Sequence, residues 1–166
     1  MISSKMESAL NAQINAELWS AYLYLSMSLH AGHNGLPGLS HWMFIQSQEE
    51  QQHARLLQQY MLSQDVPVTL EPISAVPTKW ENAVEMFRET LMHEQKVTEM
   101  IHNLMRLAED EHDYATMNRL HWFIDEQVEE EEHARGLLAA LEMVADNSYG
   151  RYEIDQHLLQ RQPASC

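Results

Sequence analysis

Glu49-Glu50-Gln51-Gln52-His53-Ala54-Arg55 is the stretch whose reading decides the fold, because residues 129–135 restate it as Glu129-Glu130-Glu131-Glu132-His133-Ala134-Arg135. Each string carries Glu-x-x-His among helix-forming residues. At about 100° and 1.5 Å per residue, positions i and i+3 project side by side from one helix face. A carboxylate and an imidazole held that way make half of a metal site. The repeat predicts two such halves facing each other, a dinuclear metal centre inside a helical bundle.

The remaining sequence supports helices. The chain has 166 residues, with five Gly and five Pro that cluster and leave long uninterrupted runs. Ala, Leu, Met, Glu and Gln fill those runs, which predicts an all-α protein. Ten Lys and Arg stand against 25 Asp and Glu, a net charge of −15. Such a charge disfavours nucleic acid and anionic membrane as partners and suits a handler of cations. The only cysteine, Cys166, has no partner for an internal disulfide and excludes sulfur-ligated zinc or iron–sulfur sites. The start, Met1-Ile2-Ser3-Ser4-Lys5, lacks an apolar leader, and no run approaches a membrane span. A reducing cytoplasm is the expected location.

Punctuation divides the chain into elements. Helix A is expected from about Ser4 to His30, ended by Gly32-His33-Asn34-Gly35-Leu36-Pro37-Gly38. Helix B is expected from about Ser40 to Leu62. Residues Ser63 to Thr78 contain Pro67, Pro72 and Pro77, which forbid helix and favour an extended connection. Helix C is expected from about Trp80 to Glu109. The turn Asp110-Glu111-His112-Asp113 leads into helix D, which ends near Asp146 before Asn147-Ser148-Tyr149-Gly150. A short fifth helix is expected over about 152–161. One domain over residues 1–166 follows, with the bundle at about 4–146. The short A–B and C–D turns make antiparallel hairpins, and the long B–C crossover lets helices B and C run parallel. That arrangement is the ferritin-like four-helix bundle.

Charged residues occupy seams that should be apolar. Helix A reads Leu10, Ile14, Glu17, Ala21, Tyr24; helix B reads Met43, Gln46, Glu50, His53, Leu57; helix C reads Phe87, Thr90, Glu94, Val97, Ile101; helix D reads Phe123, Gln127, Glu130, Ala134, Leu137. Burying one unpaired carboxylate is costly or forces its protonation. Four in one layer call for cations, and two divalent ions would serve. Carboxylate-rich ligation with little imidazole and no sulfur suits iron or manganese. Taken singly, each residue has a plainer reading: a seam glutamate that snorkels or pairs with arginine, an acidic run that is a solvated face, a histidine hydrogen-bonded in a core. The coincidence on four seams favours metal. Trp122 reads as packing and the eleven methionines as core filler. The other histidines, apart from His133, form no ligand-spaced set. On helix D, Gln127 and Glu130 each fall roughly 30° from the seam centre, and His133 roughly 85–90° away. Glu130 is therefore the expected ligand and His133 is not; His133 is left to a third iron or to a hydrogen bond with a neighbouring carboxylate.

Four stretches, spread over nearly the whole chain, resemble the prokaryotic non-haem ferritins: residues 16–28 (AELWSAYLYLSMS), Gln46 to Glu50 with His53-Ala54, residues 93–98 (HEQKVT), and residues 125–131 (DEQVEEE). The resemblance implies an iron-storage protein with a ferroxidase centre that oxidises Fe2+ with O2 or H2O2. It implies one iron at Glu17, Glu50 and His53, and a second at Glu50, Glu94 and Glu130 with Gln127 adjacent. It implies a third iron at Glu49, Glu126, Glu129 and Glu130, and Tyr24 beside the pair. It also implies a hollow shell of 24 subunits, a ferric mineral inside, and a tail helix on the fourfold axis.

The departures from the family are specific. His133 with Glu130 imitates the second Glu-x-x-His of the haem-containing bacterioferritins. Those carry a haem-ligating Met after the helix-B glutamate, where this chain has Gln51, so no haem is expected. Animal ferritins are acidic at a threefold pore where this chain has Met117 and Leu120, which weighs against an animal-type route for iron. The alternatives are a rubrerythrin-like diiron peroxidase, a bacterioferritin-like diiron protein, or a DNA-protecting mini-ferritin. The first needs a Cys-x-x-Cys module that one terminal cysteine cannot supply. The last builds its site between subunits, whereas these ligands fall within one bundle.

Overall fold

Five helices make up the computed structural model, which describes residues 2–163; Cys166 lies outside them. They are α1 (Ser4–His33), α2 (Pro37–Ser63), α3 (Ala83–Asp110), α4 (Tyr114–Met143) and α5 (Ser148–Leu158). Helix α1 packs on α2, α3 packs on α4, and α5 docks mainly on α2. No strand occurs among the described residues. None of their helices is long and apolar enough to cross a membrane.

Side chains at the helix starts fix the boundaries. Ser3 caps α1 by accepting from the Met6 N–H at 3.0 Å, and Asn82 caps α3 by accepting from Glu85 at 2.9 Å. The Asn82 cap moves the start of α3 to Ala83, leaving Trp80 before the helix as a buried plug. Asp113 caps α4 through the Thr116 N–H. Helix α4 ends at Met143 rather than Asp146, because Asn147 caps the next helix: its side chain accepts from the Gly150 N–H at 3.0 Å. Residues 148–150, expected as a break, are thus the first turn of α5.

Helix α1 runs on to His33, past its expected end, and turns through Gly35 at φ +75. Helix α2 begins at Pro37 instead of Ser40. Proline suits a first turn, where its missing N–H costs nothing. Leu36 offers no capping side chain. The cap comes from the far end of the chain: the Asp155 carboxylate of α5 accepts from the Gly38 N–H at 3.0 Å and the Leu39 N–H at 2.9 Å. A Cβ on Gly38 would lie 1.6 Å from the Asp155 carbonyl oxygen, so only glycine admits this approach.

The crossover, residues 64–82, is clamped along α1 by a polar stripe. Asn11 accepts from the Thr69 N–H at 2.8 Å, Asn15 donates to Glu71 O at 3.1 Å, and Ser26 donates to Pro77 O at 2.7 Å. The connection therefore runs alongside α1 and delivers α3 parallel to α2.

Apolar residues sort into two layers. One holds Leu10 and Ile14 of α1, Leu57 and Met61 of α2, Ile101 and Leu104 of α3, and Leu120 and Phe123 of α4. The other holds Tyr24 and Met27, Trp42 and Met43, Met86 and Phe87, and Leu141 of the same helices, with Leu158 of α5. Chain order runs from the first layer to the second in α1 and α4, and in reverse in α2 and α3. That is the expected topology, with a polar stratum between the layers.

Candidate metal centre

Glu17 from α1, Glu50 and His53 from α2, Glu94 from α3, and Gln127 and Glu130 from α4 occupy that stratum, each no more than 4% exposed. Glu50 and His53 lie one helical turn apart, with His53 Nδ1 3.3 Å from Glu50 Oε2. Glu17, Glu50 and His53 each offer a ligand atom, all within 4.8 Å of one another; so do His53, Glu126 and Glu130. Two buried polar atoms in the first group, Glu17 Oε2 and His53 Nε2, have no hydrogen-bond partner. Unsatisfied atoms of this kind are rare in a well-packed core and suit a cation.

The remaining lone pairs are aimed by neighbours. Gln13 donates to Glu17 Oε1 at 2.7 Å. Gln46 Nε2 donates to Glu130 Oε2 at 2.8 Å and to Glu50 Oε1 at 3.2 Å. The Tyr24 hydroxyl donates to Glu94 Oε1, and Gln127 donates to Glu94 Oε2 at 3.2 Å. His93 packs edge-on against Tyr24 and is 2.7 Å from Ser20 Oγ.

Charge is crowded here. Burial, followed by the Glu50 carboxylate, pushes Glu17 and Glu130 from 4.5 up to about 8. Burial, then Glu50 and Glu130, holds Glu94 well above the carboxylate range, so these three carboxylates share one neighbourhood. Burial also works against charge on His53, but Glu50, Glu126 and Glu17 outweigh it and hold the imidazole well above its usual value. His53 in turn keeps Glu50 low despite its burial. Glu50 and His53 form the ion pair of the stratum, while burial disfavours charge on Glu17, Glu94 and Glu130.

The outer acids separate from one another. Glu126, placed by the sequence reading beside the seam, brings its carboxylate to 3.8 Å from His53 Nε2 and so stands next to the paired groups. Glu49 is buried and held by Arg161. Glu129 is exposed and lines a cleft shared with Glu49, Glu126 and Glu130. His133 is exposed on the same cleft and belongs to neither triad. Trp122 packs its ring edge-on against His53. Gln13 and Arg161 are the site residues the sequence reading missed. Gln13 lies one turn before Glu17, a spacing that could have revealed it; nothing in the sequence ties Arg161 to α2.

The ferritin-like domain family matches residues 7–144. The chain belongs to the ferritin family. It is 40% identical over 161 residues to the bacterial non-haem ferritin of Bacteroides fragilis, covering 97% of this chain and 100% of that one. It is 34% identical to the bacterial non-haem ferritin of Campylobacter jejuni, covering 95% of each. An engineered closed form of the Archaeoglobus fulgidus ferritin superposes with TM-score 0.97 at 39% identity, over 99% of this chain and 100% of that chain. The open-pore ferritin of the same archaeon gives 0.96 at 40% identity, over 98% and 99%. This ferritin is an iron-storage protein with ferroxidase activity, and its carboxylate and histidine groups are able to hold metal.

Proposed function

We propose that residues 1–166 form one ferritin domain whose polar stratum is a diiron ferroxidase centre. Glu17, Glu50 and His53 receive one Fe2+. Glu50 bridges to a second, received by Glu94 and Glu130 with Gln127 beside it. The observation that carries this reading is the buried Glu17–Glu50–His53 triad with its two unsatisfied atoms. Fe2+ is the substrate. Each of two ions gives up one electron; O2 takes both, with two protons, to become H2O2, and H2O2 as the oxidant becomes two waters. Carboxylates favour Fe3+ over Fe2+ and so drive the oxidation. Protons displaced from Glu17 and Glu130 on iron binding supply the reduction, and Tyr24 aims Glu94 from beside the pair. Glu49, Glu126, Glu129 and Glu130 receive a third iron, and the Fe3+ product is stored as mineral inside a cytoplasmic shell of 24 copies of the chain.

Glu50→Ala removes the bridge. Rapid Fe2+ oxidation should fall by about a hundredfold or more, with native mass unchanged. Oxidation at the wild-type rate in stopped flow would sink the assignment.

A further inference from the structure

One cation reaches the stratum from outside the four long helices. Arg161 follows α5, and its side chain is only 16% exposed. The guanidinium lies 4.1 Å over the Trp42 ring. Its Nη1 donates to Trp42 O at 3.2 Å, and its Nη2 donates to Gln46 Oε1 at 2.8 Å and to the Glu49 carboxylate. The Arg161 carbonyl is itself held, 3.0 Å from His41 Nε2. The planar fork therefore meets a ring face, a backbone carbonyl, an amide and a carboxylate together, which a lysine could not do.

Two consequences follow from the chemistry of Gln46 and Glu49. An amide has one acceptor end and one donor end. With its oxygen committed to Arg161, Gln46 turns its NH2 inward, where it donates to both Glu130 and Glu50. The guanidinium thus sets, through one intermediate, the direction of hydrogen bonds to two carboxylates of the pair. Glu49 meanwhile stands on the outer cleft with Glu126, Glu129 and Glu130, and its carboxylate already carries a positive partner.

We propose that Arg161 is a positioning residue and a tethered counter-cation of the metal centre: it fixes the Gln46 amide toward the diiron pair and competes with the third metal ion for Glu49. This rests on the metal-centre reading above. The outer position then fills only when Arg161 releases Glu49. The same arginine has opposite effects on the two places, tightening the inner pair and weakening the outer position.

That opposition makes the test. Assembled, metal-free protein is titrated anaerobically with Co2+, which does not consume O2 and reports its coordination in the visible spectrum, and Co2+-soaked crystals locate each ion. In Arg161→Gln, the pair should bind Co2+ up to about tenfold more weakly, as for loss of an outer-shell partner. The outer ion, seen at Glu49, Glu126 and Glu129, should bind about tenfold or more tightly than in wild type. Arg161→Met keeps an unbranched apolar side chain at the half-buried position and should behave alike even if the Gln variant folds poorly. Arg161→Lys restores charge without the fork, so the outer ion should stay weak while the pair remains weakened. Equal weakening at all positions would mean simple damage and overturn the proposal. So would an unchanged outer affinity, or a wild-type crystal with the third Co2+ bound at Glu49 while Arg161 still holds that residue. Absence of Co2+ from Glu17, Glu50 and His53 in the wild type would instead overturn the centre itself, and this inference with it.

Discussion

The apolar layer around Leu57, Ile101 and Phe123 and the carboxylate stratum beside it are carried by the same four helices, a turn or two apart, yet they contribute to the fold in opposite ways. The first is stabilised by removal of apolar surface from water, and its side chains need only fit. The second gathers Glu17, Glu50, Glu94 and Glu130 where water cannot solvate them. Its members are pushed toward the uncharged form by burial, paired, or left with unsatisfied atoms. A core can thus hold a region that weakens the metal-free fold, provided that neighbouring layers offset it and that binding restores the balance. The difference separates what holds the bundle together from what it is for.

The sharpest break between the two regions should come from truncation in each. Leu57→Ala leaves a cavity in a fully buried layer and should cost about 2–5 kcal/mol, read from chemical unfolding of the metal-free protein. Metal affinity should be much less affected. Glu17→Leu should do the reverse. It removes a buried acid and should leave the metal-free protein unchanged or more stable by about 1–4 kcal/mol, while abolishing binding at the triad. A clear loss of metal-free stability in Glu17→Leu would show that the stratum supports the fold after all.

Acidity distinguishes the regions more gently. Burial pushes Glu17 and Glu130 up to about 8 in the folded chain, from a usual carboxyl value of 4.5. Between those values the native chain holds protons that the unfolded chain has lost, so their contribution falls as pH rises from about 5 to 8. His53, raised by its carboxylates, acts in the same direction above its usual value. The thermal midpoint of the metal-free protein should decline over that window, and Glu17→Leu should flatten the decline. Metal uptake should show the opposite slope, strengthening with pH as protons are displaced, at most about tenfold per unit for each proton released. Calorimetry in two buffers of different ionisation enthalpy counts those protons; a count of zero would contradict the raised acids.

The fold was legible where its cause is local. Glycine, proline and helical periodicity mark α1 to α4 and the extended crossover, and the 3.6-residue repeat sets Glu17, Glu50, Glu94 and Glu130 on the apolar seams of their helices, near the middle of each. Reading failed where the deciding partner is remote. Helix α2 starts at Pro37 because a carboxylate from α5 caps it, and no window around Leu36 contains that information. In the sequence Asn147 reads as a breaker, because a residue that ends one helix and caps the next looks alike from either side. Glu126 flanks the seam in a helical projection, and only the reach of its side chain across to α2 brings it to His53. Arg161 sits in a tail whose docking the sequence does not announce.

The Asp155 cap on α2 carries a consequence for the order of events in the cell. Helix α2 is completed by a residue made 117 positions after Gly38. Until Asp155 arrives, the Gly38 and Leu39 amides of α2 lack this acceptor, and the groove kept open by Gly38 has nothing to receive. The nascent bundle thus contains an internal check on completeness: a chain that stops short of α5 exposes a frayed helix start where a finished chain presents a closed one.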